Sequence, residues 1–332
     1  MLLEFTDRGL YCPQADVYID PWRPVPRALI THGHSDHSRW GHQHYLCTTT
    51  AAPVIRYRLG DINLSTIDYG ETIMHNGVQF SFHPAGHILG SAQIRLEYKG
   101  EVWVVSGDYK LQNDGLAEAF EPIRCHTFIT ESTFGLPIYQ WEPQEQVHQS
   151  MNDWWRANQA AGKTSVLYGY ALGKAQRILN GLDPSIGPIF THAAVENTNE
   201  IMRHQGVKLP ETIRVTKDTD RQQYPGAMVV AVPGALGSAW LKQFKSPAQG
   251  YVSGWMRLRG ARRRRAVDRG FILSDHADWP GLNTAIKATG AERIFVTHGY
   301  TDIFSKWLRE QGYDAQIVKT EFGEEEAVEQ ES

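Results

Sequence analysis

The sequence predicts an α/β protein in which a β-rich frame is interrupted by an inserted α/β segment. Three observations predict it. Short strand-like runs separated by turns crowd the first 130 residues. A strand–turn–helix rhythm begins near residue 162. Strands ending in histidine or an acid recur on both sides of that stretch.

Taken in order, Val17–Ile19, Ala28–Thr31, Val78–His83, Gln93–Tyr98, Val102–Ser106 and Thr127–Ile129 read as strands. Helical periodicity marks Glu145–Ala160, Lys174–Asn180, Asn197–Arg203, Pro280–Ala288 and Asp302–Gln311. Asp278 suits the cap of the Pro280 helix, Pro280 its first turn and Gly290 its end. Ser165–Tyr168, Val229–Val232 and Gly250–Ser253 are strands of the middle segment. A length of 332 residues fits one large or two intimate domains. The expected division is 1–140 with 271–332 as the frame and 141–270 as the insertion. The acidic tail after Phe322 reads as a frayed, solvated end.

The net charge of −4 gives no global attraction for nucleic acid, so any such attraction must be local. Cys12, Cys47 and Cys125 form no C-x-x-C pair and no disulfide framework, which fits a reducing cytosol. The N-terminus carries Glu4, Asp7 and Arg8 among its apolar residues, unlike a signal peptide, and no run has the length of a transmembrane helix. A cytoplasmic protein with no membrane partner is expected.

Most of the chemical information lies in His32-Gly33-His34-Ser35-Asp36-His37, which follows directly on a strand-like run. Imidazole and carboxylate groups suit borderline divalent metals such as zinc or manganese. Three histidines and an aspartate in six residues exceed the needs of one tetrahedral site, and two adjacent metals explain the surplus better. His87, Asp108 and His298 each end a strand-like run. Strand ends converge on one edge of a sheet, so these distant residues can share a site.

This ordered set resembles the motifs of the metallo-β-lactamase superfamily, and Asp20 in Tyr18-Ile19-Asp20-Pro21 matches that superfamily's first motif. The resemblance implies an αββα sandwich. It implies one metal held by His32, His34 and His87, another by Asp36, His37 and His298, and Asp108 bridging them. Asp20 would orient a ligand histidine. Three further segments, at Glu131, at Tyr168–Gln176 and at His276, resemble the β-CASP branch, which processes nucleic acids and carries an inserted α/β domain. Glu131 matches its motif A, His276 motif B and His298 motif C. With Ser253-Gly254-Trp255-Met256, the chain is most similar to the bacterial ligase-associated DNA exonucleases, relatives of the Artemis-like repair nucleases.

The resemblance therefore implies a two-metal DNA exonuclease of 5′ polarity, acting on single strands or free ends in repair beside a DNA ligase. A histidine at motif C is the usual mark of RNA enzymes, whereas Artemis-like enzymes have valine. His298 thus keeps an RNA-processing nuclease as the alternative. A small-molecule metallo-hydrolase and a silent nucleic-acid-binding scaffold stand further back.

Phosphodiester hydrolysis at neutral pH needs a nucleophile, charge neutralisation and a proton for the leaving oxygen. Asp36 and Asp108 would serve the first two as ligands. His276 is the candidate general acid, and Glu131 would fix its tautomer and favour its protonated form. Ser132, Thr133 and Lys174 are candidate phosphate contacts, Lys174 because it opens a helix after Gly173. Arg257, Arg259, Arg262, Arg263, Arg264 and Arg265 form a basic run that could neutralise phosphates. Trp255 and Trp279 read as packed aromatics rather than base-stacking ones.

Overall fold

Short strands with apolar residues at alternate positions build the first layer. These are β1 (Glu4–Thr6), β2 (Gly9–Cys12), β3 (Val17–Ile19), β4 (Arg27–Leu29), β5 (His44–Thr48) and β6 (Leu64–Ile67). They hydrogen-bond in that order into one sheet, antiparallel up to β3 and parallel thereafter. A parallel pair needs a crossover, and α1 (Ala52–Leu59) supplies it between β5 and β6. The computed structural model describes residues 1–318, without the side chain of Arg262. The expected acidic tail lies outside the described residues.

The second sheet begins as an antiparallel meander: β7 (Thr72–His75), β8 (Val78–Pro84), β9 (Ala92–Tyr98) and β10 (Glu101–Val105). It continues in parallel through β11 (Thr127–Ser132). The chain then leaves for a second compact unit, Tyr139–Asp275. There, β12 (Ser165–Tyr168), β13 (Ile189–Thr191), β14 (Ile213–Arg214), β15 (Met228–Ala231), β16 (Ala248–Val252) and β17 (Arg269–Phe271) form an all-parallel sheet of order β14-β13-β15-β12-β16-β17. Its helices are α2 (Gln144–Ala160), α3 (Lys174–Gly181), α4 (Ala193–His204) and α5 (Arg259–Arg265). Trp155 and Met151 of α2, Ile178 and Leu179 of α3 and Val195 of α4 pack with Leu167, Met228 and Val230 of the strands. Near-continuous apolar runs such as Met228–Ala231 suit a sheet covered on both faces.

The first unit, Met1–Ile138, resumes at His276. It adds α6 (Trp279–Thr289), β18 (Arg293–Gly299), α7 (Thr301–Glu310) and β19 (Asp314–Ile317), with β18 and β19 extending the second sheet beside β11. Alternation along the strands divides the core in two. Trp103, Val105, Phe80, Phe82, Ile94 and Phe295 pack with Val17, Ile19 and Leu29 in the interior between the sheets. Val102, Val104, Phe128 and Ile294 face the other way, beneath Leu282 and Ile286 of α6 and Phe304 and Leu308 of α7. The unit is thus the α/β sandwich the sequence predicts. No helix among the described residues is long and apolar enough to cross a membrane.

The elements depart from expectation in instructive places. β11 runs on through Glu131 and Ser132, because the parallel ladder with β18 continues past the apolar stretch. α4 starts at Ala193, four residues before its periodic pattern, with the His192 ring accepting from the Ala194 N–H as its cap. From Arg259 on, the arginine run folds as helix α5, with Arg257 in the 3-10 turn before it. α1 escapes periodicity because its buried residues, Ala52, Val54 and Ile55, bunch at its start.

Candidate metal centre

The histidine-rich loop leaves the end of β4 and is tied down on both sides. Thr31 O accepts from Ala92 N at 2.8 Å, and Thr31 N donates to Asp20 Oδ1 at 2.8 Å. Asp20 Oδ2 takes the Thr31 hydroxyl at 2.6 Å and lies 2.7 Å from His37 Nδ1. That contact turns His37 Nε2 inward, where it is buried without a hydrogen-bond partner. The nearest carboxylate oxygens are Asp108 Oδ2 at 3.4 Å and Asp36 Oδ2 at 3.6 Å.

A second convergence lies alongside. His34 Nδ1 is 3.2 Å from His32 Nε2 and 3.0 Å from His87 Nε2. Asp108 Oδ2 is 3.5 Å from His32 Nε2 and 3.8 Å from His87 Nε2. A tetrahedron with metal bonds of about 2.05 Å has edges of about 3.4 Å. The four donors stand at nearly that spacing, and the orphaned Nε2 of His37 faces the same aspartate. The residues present therefore fit metal ions. His32, His34, His87 and Asp108 form one group, and Asp36, His37 and Asp108 another that shares Asp108.

Backbone geometry delivers Asp108. Gly107 has φ +56°, and a Cβ there would meet Thr31 at 2.7 Å, so only glycine lets β10's end approach the histidine loop. His298, next to last in β18, has φ +50°, a conformation uncommon for a residue with a side chain, as at many functional sites. Its ring centroid is 5.4 Å from that of His37, and its Nδ1 is 3.0 Å from Thr297 Oγ1. It borders the second group without entering the set of converging donors. A cavity of about 40 Å³, lined by Asp20, Asp36, His37 and His298 among others, leaves room there for water.

Burial opposes charge throughout the cluster. For His32, burial and the nearby His37 push the imidazole well below its usual range, towards the neutral form that binds metal. For His37, burial is outweighed by Asp108, Asp36 and Asp20, which raise its pKa well above the usual range. Asp108 is likewise held well below the carboxylate range against burial, by His37 first and then His276.

Beside the histidines sits a dyad. Glu131 is buried at the end of β11, where Oε1 accepts from Tyr109 N at 2.7 Å. Its Oε2 lies 2.9 Å from Nδ1 of His276, which directs the other ring nitrogen away from Glu131. The His276 ring centroid is 4.7 Å from that of His87 and packs edge-on to Phe134. Asp108, Glu131 and His276 also bring donor atoms within 4.8 Å of one another.

The expected phosphate contacts are placed otherwise. Ser132 is fully buried, and its hydroxyl donates to the carbonyl oxygens of His298 and Thr297, bracing β11 against β18. Thr133 is buried beside it. Lys174 is 1% exposed, with its ammonium 3.1 Å from Asp275 Oδ2 and donating to Leu273 O. Its charge is paired inside the second unit. Arg257, Arg259, Arg263 and Arg264 are exposed there, whereas the Arg265 guanidinium lies 4.6 Å over the Tyr251 ring. The side chain of Arg262 lies outside the description. Trp255 is buried, and Trp279 packs against Phe304 and Trp307, as the sequence predicts. Sequence reasoning missed Thr31, whose hydroxyl touches Asp20 and His32, and Arg58, which donates to Gly33 O and Ser38 Oγ. Only a general preference for polar residues near metals pointed to them.

No family model matches the chain. Among curated proteins, a probable DNA ligase of Opitutus terrae is 31% identical over 314 residues, 93% of this chain and 30% of that protein. The endoribonuclease YSH1 of Saccharomyces cerevisiae is 32% identical over 122 residues, 36% of this chain and 15% of that protein. Cleavage and polyadenylation specificity factor 73 of Drosophila melanogaster is 28% identical over 165 residues, 47% of this chain and 24% of that protein. The ordered motifs and these relatives decide the family. The chain belongs to the β-CASP branch of the metallo-β-lactamase superfamily. This β-CASP chain spans less than a third of the length of each of these relatives. A protein of unknown function from Enterococcus faecalis V583 shares the fold of the β-CASP chain, with a TM-score of 0.57, 10% identity and coverage of 81% of this chain and 74% of that one.

Proposed function

We propose that the chain is a two-metal nuclease that hydrolyses DNA phosphodiesters, an exonuclease of 5′ polarity acting in repair. The observation that carries this reading is the Glu131–His276 dyad standing against a metal-binding cluster. The 141–270 segment is then the inserted domain of the branch, with its exposed arginines available to a polyanion. Support for DNA comes from the match of 93% of the chain to a protein named a DNA ligase, which also supports work beside a ligase. The relatives named endoribonuclease, together with His298, favour RNA processing as the second reading.

His32, His34, His87 and Asp108 would hold one ion, and Asp36, His37 and Asp108, with His298 adjacent, the other. Zinc or manganese bound there would supply Lewis-acid neutralisation of the scissile phosphate and a water nucleophile at neutral pH. Asp20 would keep His37 Nδ1 engaged and its Nε2 presented. Glu131 would hold His276 Nδ1, so that Nε2–H can give its proton to the departing sugar oxygen.

The test is incubation of the purified protein with end-labelled single-stranded DNA and RNA of one sequence, with zinc or manganese, beside Asp108→Ala. Stepwise DNA shortening absent from the variant is expected, and the labelled end reads out polarity. Cleavage of RNA alone would replace this reading with the RNA-processing one.

A further inference from the structure

All ten tryptophans lie in the described region, and nine are buried or half-buried. The other, Trp40, is 74% exposed. Its indole N–H has no partner among the described residues. An isolated exposed apolar residue is ordinary on a mobile surface loop. Trp40, however, sits on backbone that is clamped on every side. Ser38 N and Oγ both donate to His34 O, at 2.9 and 3.0 Å. Arg58 reaches the Ser38 hydroxyl at 2.6 Å. Tyr45 Oη donates to Arg39 O at 2.9 Å and accepts from His42 N at 3.0 Å, so one buried hydroxyl pins the chain immediately before and two residues after Trp40. Gly41 turns at φ +104° with its Cβ position 3.2 Å from Pro24, a turn that no larger residue would make without strain.

A large aromatic is thus held in water by a rigid loop, at an entropy cost already met by its neighbours. The loop is the same one that carries the metal-binding histidines. Trp40 is three residues from His37, so their α-carbons are at most about 11 Å apart, roughly three base steps of a stacked strand. Within this loop Ser35 and Trp40 are exposed and His34, Asp36 and Arg39 partly so. Every nucleobase offers a π-face, and stacking on an aromatic side chain is tolerant of sequence.

We infer that Trp40 is a stacking platform for an unpaired base of a single-stranded nucleic acid, seated within a few nucleotides of the bond to be cut. This rests on the nuclease reading above. A fully paired duplex, whose bases have no free faces, would not engage it.

Steady-state cleavage of a fluorescent single-stranded oligonucleotide, DNA and RNA in parallel, tests this for the metal-loaded wild type, Trp40→Ala and Trp40→Phe. The expected result is a KM raised roughly tenfold or more in Trp40→Ala, a much smaller change in kcat, and recovery of most of the loss in Trp40→Phe. A series of substrates with single abasic sites near the cut should contain one for which wild type and Trp40→Ala have equal KM. If the wild type cuts and Trp40→Ala shows unchanged KM, or a fall in kcat that phenylalanine does not restore, the platform is overturned while the nuclease reading stands. If the wild type cuts neither nucleic acid, the nuclease reading fails and the platform falls with it.

Discussion

His42 shows how one side chain can shape stability without touching the chemistry. It is buried, both ring nitrogens lack a hydrogen-bond partner, and its ring packs on Tyr45. Burial lowers its pKa to about 4, only partly offset by Asp20. Between that value and the ordinary 6.5, the unfolded chain binds a proton that the folded chain refuses. Stability should therefore fall as pH drops from about 6.5 and level off below about 4. Urea unfolding at pH 7, 5.5 and 4.5 should show this acid loss reduced in His42→Leu, because the protonating metal-site histidines are common to both proteins. An equal loss in the two would place the acid sensitivity elsewhere. At the same scale, the sequence pointed to His32, His34, His37, His87 and Asp108 because metal chemistry demands those residue types, and the fold brings their donor atoms together. It did not disclose Thr31, since a threonine beside a histidine has no distinguishing pattern until Asp20 is folded against it.

Elements position the site through their ends. α6 opens where Asp278 Oδ1 accepts from Gly281 N at 2.9 Å, Pro280 stands in its first turn, and it closes at Gly290 with φ +65°. This helix begins three residues after His276 and covers Val104 and Phe128 of the strands that deliver Asp108 and Glu131. Asp278→Ala should cost about 1 kcal/mol of stability, measured by thermal or urea unfolding. Metal content should be retained, since Asp278 lies outside the donor groups. A loss of metal in that variant would show that the cap also holds the site. Caps were legible in the sequence because Asp, Pro and Gly act through local backbone geometry. The extension of β11 to Ser132 was not, because a strand's last residues are decided by its neighbour, here β18.

At the scale of the molecule, the second unit carries a buried charge cluster that its composition gave no reason to expect. Lys174 and Arg177 of α3, each 1% exposed, lie 3.1 and 3.3 Å from the oxygens of Asp275, itself 3% exposed. Arg177 also donates to Ser274 O. Asp275 is thus shared by two cations, so losing Lys174 leaves the carboxylate paired with Arg177 but strips Leu273 O of its buried donor. Lys174→Met should destabilise the protein by about 1–3 kcal/mol in urea unfolding, the cost of a buried acceptor left without its donor. A variant as stable as the wild type would show the ammonium to be dispensable to the fold and would reopen a role for it at a ligand.

Lys174 also marks the boundary between what pattern determines and what packing decides. By itself the sequence determined the α/β class, many of the strands and helices, and the acids and histidines at strand ends. Each of these depends on local periodicity or on the ligand chemistry of a residue type. The tertiary structure alone decided which donors share Asp108, that His298 borders the cluster, and that Ser132 braces β18. It also decided that one lysine after a glycine turn points inward to an aspartate about a hundred residues away, while Arg259, Arg263 and Arg264 of α5 stay in water. A side chain's charge is written in its identity. Whether that charge meets solvent, a carboxylate or a phosphate depends on what the rest of the chain packs around it.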